Sequence, residues 1–264
     1  MIDIHNHILP NIDDGSISME MSLEMLEHAA NQGITDVINT VHYQHPKVEG
    51  LDISYKRIIK QINLLQFELD KKSISIKIHP GAEVFYLPNL VELIKDPLVT
   101  IGRGKYMLIE FNPYHLPKDH KKTLFNLKMA GVTPIIAHPE RYKNVQKDLN
   151  KVLEWIDTGC LIQVDAGSLL GTLGKEAKRV SEKIIKNQWC QVLGSDAHDN
   201  KKRNFNLKDA FQIVEKWIGK DARSLVYKNP KAILEGRNIK VEPIIQGNKD
   251  KGSFWRKFIK IISN

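Results

Sequence analysis

The sequence predicts an α/β fold built as one barrel of seven parallel strands, each followed by a helix. Three observations carry that expectation. Short apolar runs alternate with stretches of helical periodicity along most of the 264 residues, the order that builds parallel sheets. Histidines and carboxylates recur at or just after the ends of these runs, where parallel α/β folds gather their chemistry. A hydrophobic content of 42%, with only 7% aromatic residues, suffices for one large core, and there is no internal repeat or low-complexity segment.

The run Met1-Ile-Asp-Ile4 reads as a strand leading to His5. Ser18 can cap a helix whose apolar positions Met19, Leu23, Leu26 and Ala30 keep the helical period, with Gly33 as its terminator. Residues 34–39 predict a second strand that stops shortly before His42. Ile58, Ile62, Leu65 and Leu69 mark the next helix. Ile74, Ile76 and Ile78 alternate with Ser75 and Lys77 as a third strand, which leads through His79-Pro-Gly-Ala to Glu83. Residues 106–109 give a strand ending in Glu110, 133–137 one ending in His138, 161–164 one ending near Asp165, and 191–195 the seventh. Helices are expected near 118–130, 145–157, 174–187 and 206–218.

Nine residues then stand at strand ends: His5, His7, Asp14, His42, Glu83, Glu110, His138, Asp196 and His198. Imidazole and carboxylate are the ligands that hold Zn²⁺, Mn²⁺ or Fe in hydrolytic sites. His5-Asn-His7 is the sharpest local signal, and Asp196-Ala-His198 repeats its spacing. A barrel that joins its first and last strands sets the two pairs side by side. Glu83 and Glu110 follow buried strands, where an unpaired carboxylate is costly; coordination or a core salt bridge would keep them ionised.

Other chemistries are excluded. Cys160 and Cys190 lie in apolar surroundings, and the sixth residue after each is Ala166 and Asp196. Neither opens the anion-binding loop, ending in arginine, that a cysteine phosphatase needs. The same two cysteines argue against a disulfide framework. The formal charge is +8, but the lysines are spread over helix faces and turns without a nucleic-acid-binding motif, so no nucleic-acid partner is expected. There is no secretory signal and no run approaching a membrane span, which predicts a cytoplasmic protein. His28, His45, His79, His115 and His120, on a helix, in loops or at element ends, are read as non-ligands. Asp13 is read as a turn residue or a support for a ligand, and Asp165 and Asp199 as supporting or leaving-group residues.

The segments Met1 to Gly15, His42, Gly81-Ala-Glu83, Leu-Ile-Glu110-Phe, Ile-Ala-His138-Pro-Glu-Arg141 and Gly-Ser-Asp196-Ala-His198 resemble the polymerase and histidinol phosphatase (PHP) superfamily. Within it, the resemblance is to bacterial manganese-dependent protein-tyrosine phosphatases of capsule and exopolysaccharide synthesis, and it runs to about residue 236. It implies a distorted seven-stranded (β/α) barrel of the PHP type with three divalent ions, Mn²⁺ first, with Fe, Zn or Co as alternatives. It also implies a division of ligands. His5, His7, Glu83 and Asp196 would hold the first ion; a bridging Glu83 with Glu110 and His138 the second; Asp14, His42 and His198 the third. Arg141 matches the family's phosphate-binding arginine, and Arg203 is a candidate for a similar part.

The expected activity is therefore hydrolysis of phosphotyrosine on a bacterial tyrosine kinase. A small-molecule phosphatase of the histidinol-phosphatase type is the alternative, and a polymerase-associated PHP module is set aside because no polymerase domain fits in this length. The expected domains are 1–236, the barrel, and 237–264, an extension. Within the extension, Phe254, Trp255, Phe258, Ile259, Ile261 and Ile262 fall on one side of a helix and Arg256, Lys257 and Lys260 on the other. Segment 253–262 is therefore a candidate for packing on the barrel or for weak contact with the inner face of the membrane.

Overall fold

The computed structural model of the protein describes residues 1–239, and segment 253–262 lies outside them. Seven strands form one sheet in chain order, β1 (Ile2–Asn6), β2 (Asp36–Tyr43), β3 (Lys77–Phe85), β4 (Tyr106–Glu110), β5 (Thr133–Ile136), β6 (Leu161–Asp165) and β7 (Val192–Gly194). Every neighbouring pair is parallel. The two ends of the sheet meet just beyond β7. Asn6 bridges Ala197 in the parallel sense, the Asp196 N–H donates to His5 O (2.8 Å), and the His7 N–H donates to Ala197 O (2.8 Å). The result is the expected seven-stranded barrel, nearly closed and surrounded by helices.

Inside the barrel, Ile4, Ile38, Leu108, Ile135 and Val192 form an apolar inner core. Ile101, Tyr106 and Ile233 extend it at the N-terminal ends of the strands, where the Tyr106 hydroxyl donates to Arg237 O (2.5 Å). With that end plugged, chemistry is left to the opposite mouth.

The outer layer packs helices α1 (Met19–Asn31), α2 (Tyr55–Lys71), α3 (Leu90–Leu93), α4 (His120–Met129), α5 (Lys143–Lys147), α6 (Asn150–Asp157), α7 (Ala166–Leu170), α8 (Lys175–Lys186), α9 (Leu207–Ile218) and α10 (Asn229–Leu234). Ser18 caps α1, its side chain accepting the Met21 N–H at 3.1 Å, and Gly33 follows at φ 82°. The four α2 positions expected from periodicity are all buried.

The expected boundaries need correction at three places. The second strand runs past residue 39 and carries His42 within it. The third starts at Lys77 rather than Ile74, and so contains His79, Pro80 and Gly81. Its register with β2 is unbroken from Asp36↔Lys77 to Tyr43↔Val84. Pro80 fits because β4 joins β3 only from Glu83 onward, and a strand paired on one side tolerates proline. Ile74 and Ile76 alternate because they pack in the helix-to-strand connection, where the Ile74 N–H returns to Leu69 O. The helix expected over 145–157 is two, α5 and α6. Their helical bounds stop at Lys147 and resume at Asn150, and the Asn150 N–H donates to Asp148 Oδ1.

Candidate metal centre

The barrel's C-terminal mouth brings all nine strand-end residues together. Glu83, on β3, is the hub. Its carboxylate lies 2.9 Å from His138 Nε2, 3.2 Å from His5 Nε2, 3.2 Å from His42 Nδ1 and 3.4 Å from His7 Nε2. Asp196 Oδ1 faces His5 (3.4 Å), His7 (3.5 Å) and His198 (3.4 Å). Asp14 Oδ1 faces His42 Nε2 (3.2 Å) and His198 Nε2 (3.5 Å). Glu110, at the end of β4, stands 3.8 Å from His138 and 3.9 Å from His42.

The backbone at the seam sets these positions. Asp3, fully buried, accepts the N–H groups of His5 (3.0 Å) and Ser195 (2.9 Å), tying the two ligand-bearing turns to one carboxylate. The register of β1 shifts between Asp3 and Asn6, which frees His5 and His7 from strict alternation. His138 and Asp196 adopt positive φ, 32° and 49°, an uncommon conformation outside glycine that aims both side chains inward from strand ends.

Neighbouring polar groups orient the rings. His7 Nδ1 pairs with Asp13 Oδ2 (2.7 Å), which also accepts the His42 N–H (3.0 Å). His5 Nδ1 pairs with Gln163 Oε1 (3.1 Å), and that oxygen also accepts the His138 N–H. His198 Nδ1 pairs with Asp196 O (2.8 Å). Each contact leaves the other ring nitrogen to face the centre, as partners of metal-ligating histidines do. Gln163 and Lys47 were missed by the sequence reading. A polar residue inside the apolar run 161–164 was a signal for the first; nothing marked Lys47, whose ammonium sits 2.5 Å from Asp14 Oδ2.

The electrostatics are those of a buried charge cluster. Burial opposes charge on His5, yet Glu83 and Asp196 outweigh it and hold its pKa up to about 9. Burial and His7 likewise oppose charge on His42, and the close carboxylates of Asp14 and Glu83 bring it to about 9. Burial would raise Glu83, but His5 and its contacts to His138 and His42 keep it well below the usual carboxylate range. Burial, reinforced by Glu83, pushes Glu110 up to about 7.

The donor set fits divalent ions. His5 Nε2, His7 Nε2, His42 Nδ1 and Glu110 Oε2 are buried without a hydrogen-bond partner, an expensive arrangement unless something else satisfies them. Two ligands each about 2.1 Å from one ion and 90–110° apart lie about 3.0–3.4 Å from each other, close to the nitrogen–oxygen separations around Glu83 and Asp196. Among the described residues, four groupings bring ligand atoms within 4.8 Å: His7, Asp14, His42 and His198; His5, His7 and Asp196; His5, Glu83 and His138; and His42, Glu83 and Glu110.

Arg141 and Arg203 converge on the outer oxygen of Asp196. Arg141 Nη1 bonds it directly and stands 3.5 Å from Asp165 Oδ2, while Arg203 Nη2 lies at 2.6 Å. Both side chains are partly exposed at the mouth, 28% and 33%. Cys160 and Cys190 are buried, their thiols raised by burial, Cys190 to about 12.

Residues 1–235 match the family Capsular polysaccharide synthesis, CpsB/CapC. The chain belongs to the CpsB/CapC family. This CpsB/CapC protein is similar to the tyrosine-protein phosphatase YwqE of Bacillus subtilis, 32% identical over 244 residues, 92% of this chain and 95% of the relative. It is also similar to the tyrosine-protein phosphatase CpsB of Streptococcus pneumoniae, 31% identical over 243 residues, 89% and 98% of the two chains. Its fold matches one chain of the crystal structures of YwqE from Bacillus subtilis and CpsB from Streptococcus pneumoniae, metal-dependent tyrosine phosphatases. That match has a TM-score of 0.86 at 29% identity and covers 92% of this chain and 98% of that one.

The Asp13-Asp14-Gly15 turn of this CpsB/CapC chain supplies a packing test. A Cβ on Gly15 would stand 2.1 Å from His7 O and 2.5 Å from His7 Cβ, and a backbone oxygen cannot turn aside. Gly15→Ala is expected to cost about 1–3 kcal/mol and to displace Asp14 from His42 and His198. Thermal unfolding of the variant beside the parent checks it; an unchanged midpoint refutes the packing argument.

Proposed function

We propose that this chain is a metal-dependent protein-tyrosine phosphatase acting on a phosphotyrosine protein, a bacterial tyrosine kinase of capsule or exopolysaccharide synthesis. The observation that carries it is the convergence of five imidazoles and four carboxylates at one mouth of a CpsB/CapC barrel, in a chain whose relatives are tyrosine-protein phosphatases. His5, His7, Glu83 and Asp196 would hold one ion, Glu83 with Glu110 and His138 a second, and Asp14, His42 and His198 a third, with Mn²⁺ the favoured metal. Such ions supply Lewis acidity that lowers the pKa of water and offsets negative charge on a phosphoryl group.

The chain's own residues do the rest. Asp13, Gln163 and the Asp196 carbonyl fix the rings of His7, His5 and His198. Arg141, a planar and permanent cation at the mouth, is assigned to the phosphoryl oxygens, with Arg203 beside it. The free phenol has a pKa of about 10, so tyrosine leaves without a strong general acid. Among the described residues no helix is long and apolar enough to cross a membrane; a cytoplasmic site of action, with segment 253–262 touching the inner face, belongs to this proposal.

Exhaustive chelation is expected to abolish turnover of a phosphotyrosine peptide and Mn²⁺ to restore it, while Cys160→Ser and Cys190→Ser stay near parental rates. Turnover of phosphotyrosine peptide, histidinol phosphate and single-stranded DNA measured side by side tests the substrate class. Full activity after metal removal, or preference for histidinol phosphate, rejects it.

A further inference from the structure

The connection from β2 to α2 has two working faces. Pro46–Val48 forms a 3₁₀ turn, capped by His45 Nδ1, which accepts the Lys47 N–H at 3.0 Å. One face sends Lys47 to the metal centre, its ammonium 2.5 Å from Asp14 Oδ2 and 3.5 Å from His42 Nε2. The other face, Pro46 and Val48, lines a cleft of about 610 Å³ with Tyr43, Leu51 and Leu87, a volume in the range of ligand-binding clefts.

His45 is the wall between centre and cleft. Its ring stacks on His42 with centroids 4.4 Å apart, its Nε2 lies 3.5 Å from Glu110 Oε2, and the same residue lines the cleft. Leu51 and Leu87 are 51% and 37% exposed, so apolar side chains are left in water directly beside a charged mouth. Leu51 and Leu87 line the cleft and are not among the groups that gather at the centre. A residue flanking phosphotyrosine in a polypeptide is within reach of the cleft, because the two spaces share a wall.

We propose that this cleft is a specificity subsite that receives an apolar side chain next to the phosphotyrosine of a peptide, while Lys47 engages the phosphoryl group from the Asp14 side. The proposal rests on the phosphotyrosine function given above. Lys47 contributes to every phosphorylated substrate; Leu51 and Leu87 contribute only to those with an apolar neighbour.

The test uses the full-length Mn²⁺-loaded protein and phosphotyrosine peptides that differ only in carrying Leu or Ser beside the phosphotyrosine, on either side. Burying one leucine side chain corresponds to about tenfold or more in kcat/KM, and the Leu peptide is expected to be preferred by that factor. Leu51→Asp and Leu87→Asp should bring the preference toward unity, with Leu51→Ala intermediate. Lys47→Met should raise KM several-fold, on the order of a lost exposed charge contact, for both peptides alike. Equal turnover of the two peptides by the parent, or a preference that persists in the doubly substituted protein, overturns the subsite. Failure to hydrolyse either peptide, with histidinol phosphate turned over, overturns the phosphotyrosine function itself and the subsite with it.

Discussion

Glu83→Ala is expected to abolish turnover and to strip the centre of most of its metal. Among the described residues no other carboxylate faces as many imidazoles: His5, His7, His42 and His138 all lie within 3.4 Å of its oxygens, and it is 1% exposed. Removing one partner from a buried charge pair costs about 3–5 kcal/mol, because the charges left behind have neither water nor a counter-charge. His5 and His42 owe their elevated pKa values in part to Glu83, so the variant should also shed their protons more readily. Glu83→Gln keeps the shape and removes the charge, which separates packing from coordination. Metal content by mass spectrometry together with peptide turnover decides the matter, and a fully loaded, active Glu83→Ala protein refutes the hub assignment.

Arg141→Ala should do the opposite: keep the metal and lose on the order of 10²-fold or more in rate, the scale on which donors to transition-state charge act. The structure supplies the reason that metal is kept. Asp196 Oδ2 is shared by Arg141 and Arg203, so deleting Arg141 leaves that oxygen paired at 2.6 Å, and Oδ1 still faces His5, His7 and His198. Arg141→Lys should recover little, since an ammonium cannot reproduce the planar fork. Replacing both arginines exposes Asp196 and should lower metal content as well. If Arg141→Ala alone loses metal as Glu83→Ala does, its place at the phosphoryl group is wrong.

Much of this was legible in the sequence because the barrel imposes one rule seven times: an apolar run followed by a polar group at its end. His5, His7, Asp196 and His198 could be paired from their equal spacing before the seam between β1 and the turn after β7 was seen. What the sequence hid were consequences of contact. Nothing local reveals that β3 continues through Pro80-Gly81, since proline and glycine signal a break and only the long register with β2 overrides it. Gln163 orients His5 across 158 residues, and Lys47 reaches Asp14 across 33. Asp13, read as a turn residue or a support for a ligand, is both: its Oδ1 accepts the Gly15 N–H and its Oδ2 serves His7 and His42.

The seam where Asp3 accepts the Ser195 N–H joins residues 192 apart, and this fixes when the centre can exist during protein synthesis. A ribosome adding about 5–20 residues per second needs roughly 10–40 s to travel from the first turn to the last. Through that interval the nascent chain displays His5 and His7 without Asp196 and His198, and β1 has one edge bare. Every chain that stops short of Ser195 is therefore incomplete in its ligand set and exposed at a sheet edge at the same time. Synthesis of residues 195–198 ends both conditions in one closure, because the same short turn supplies the seam bonds to Asp3 and His5 and the side chains of Asp196 and His198.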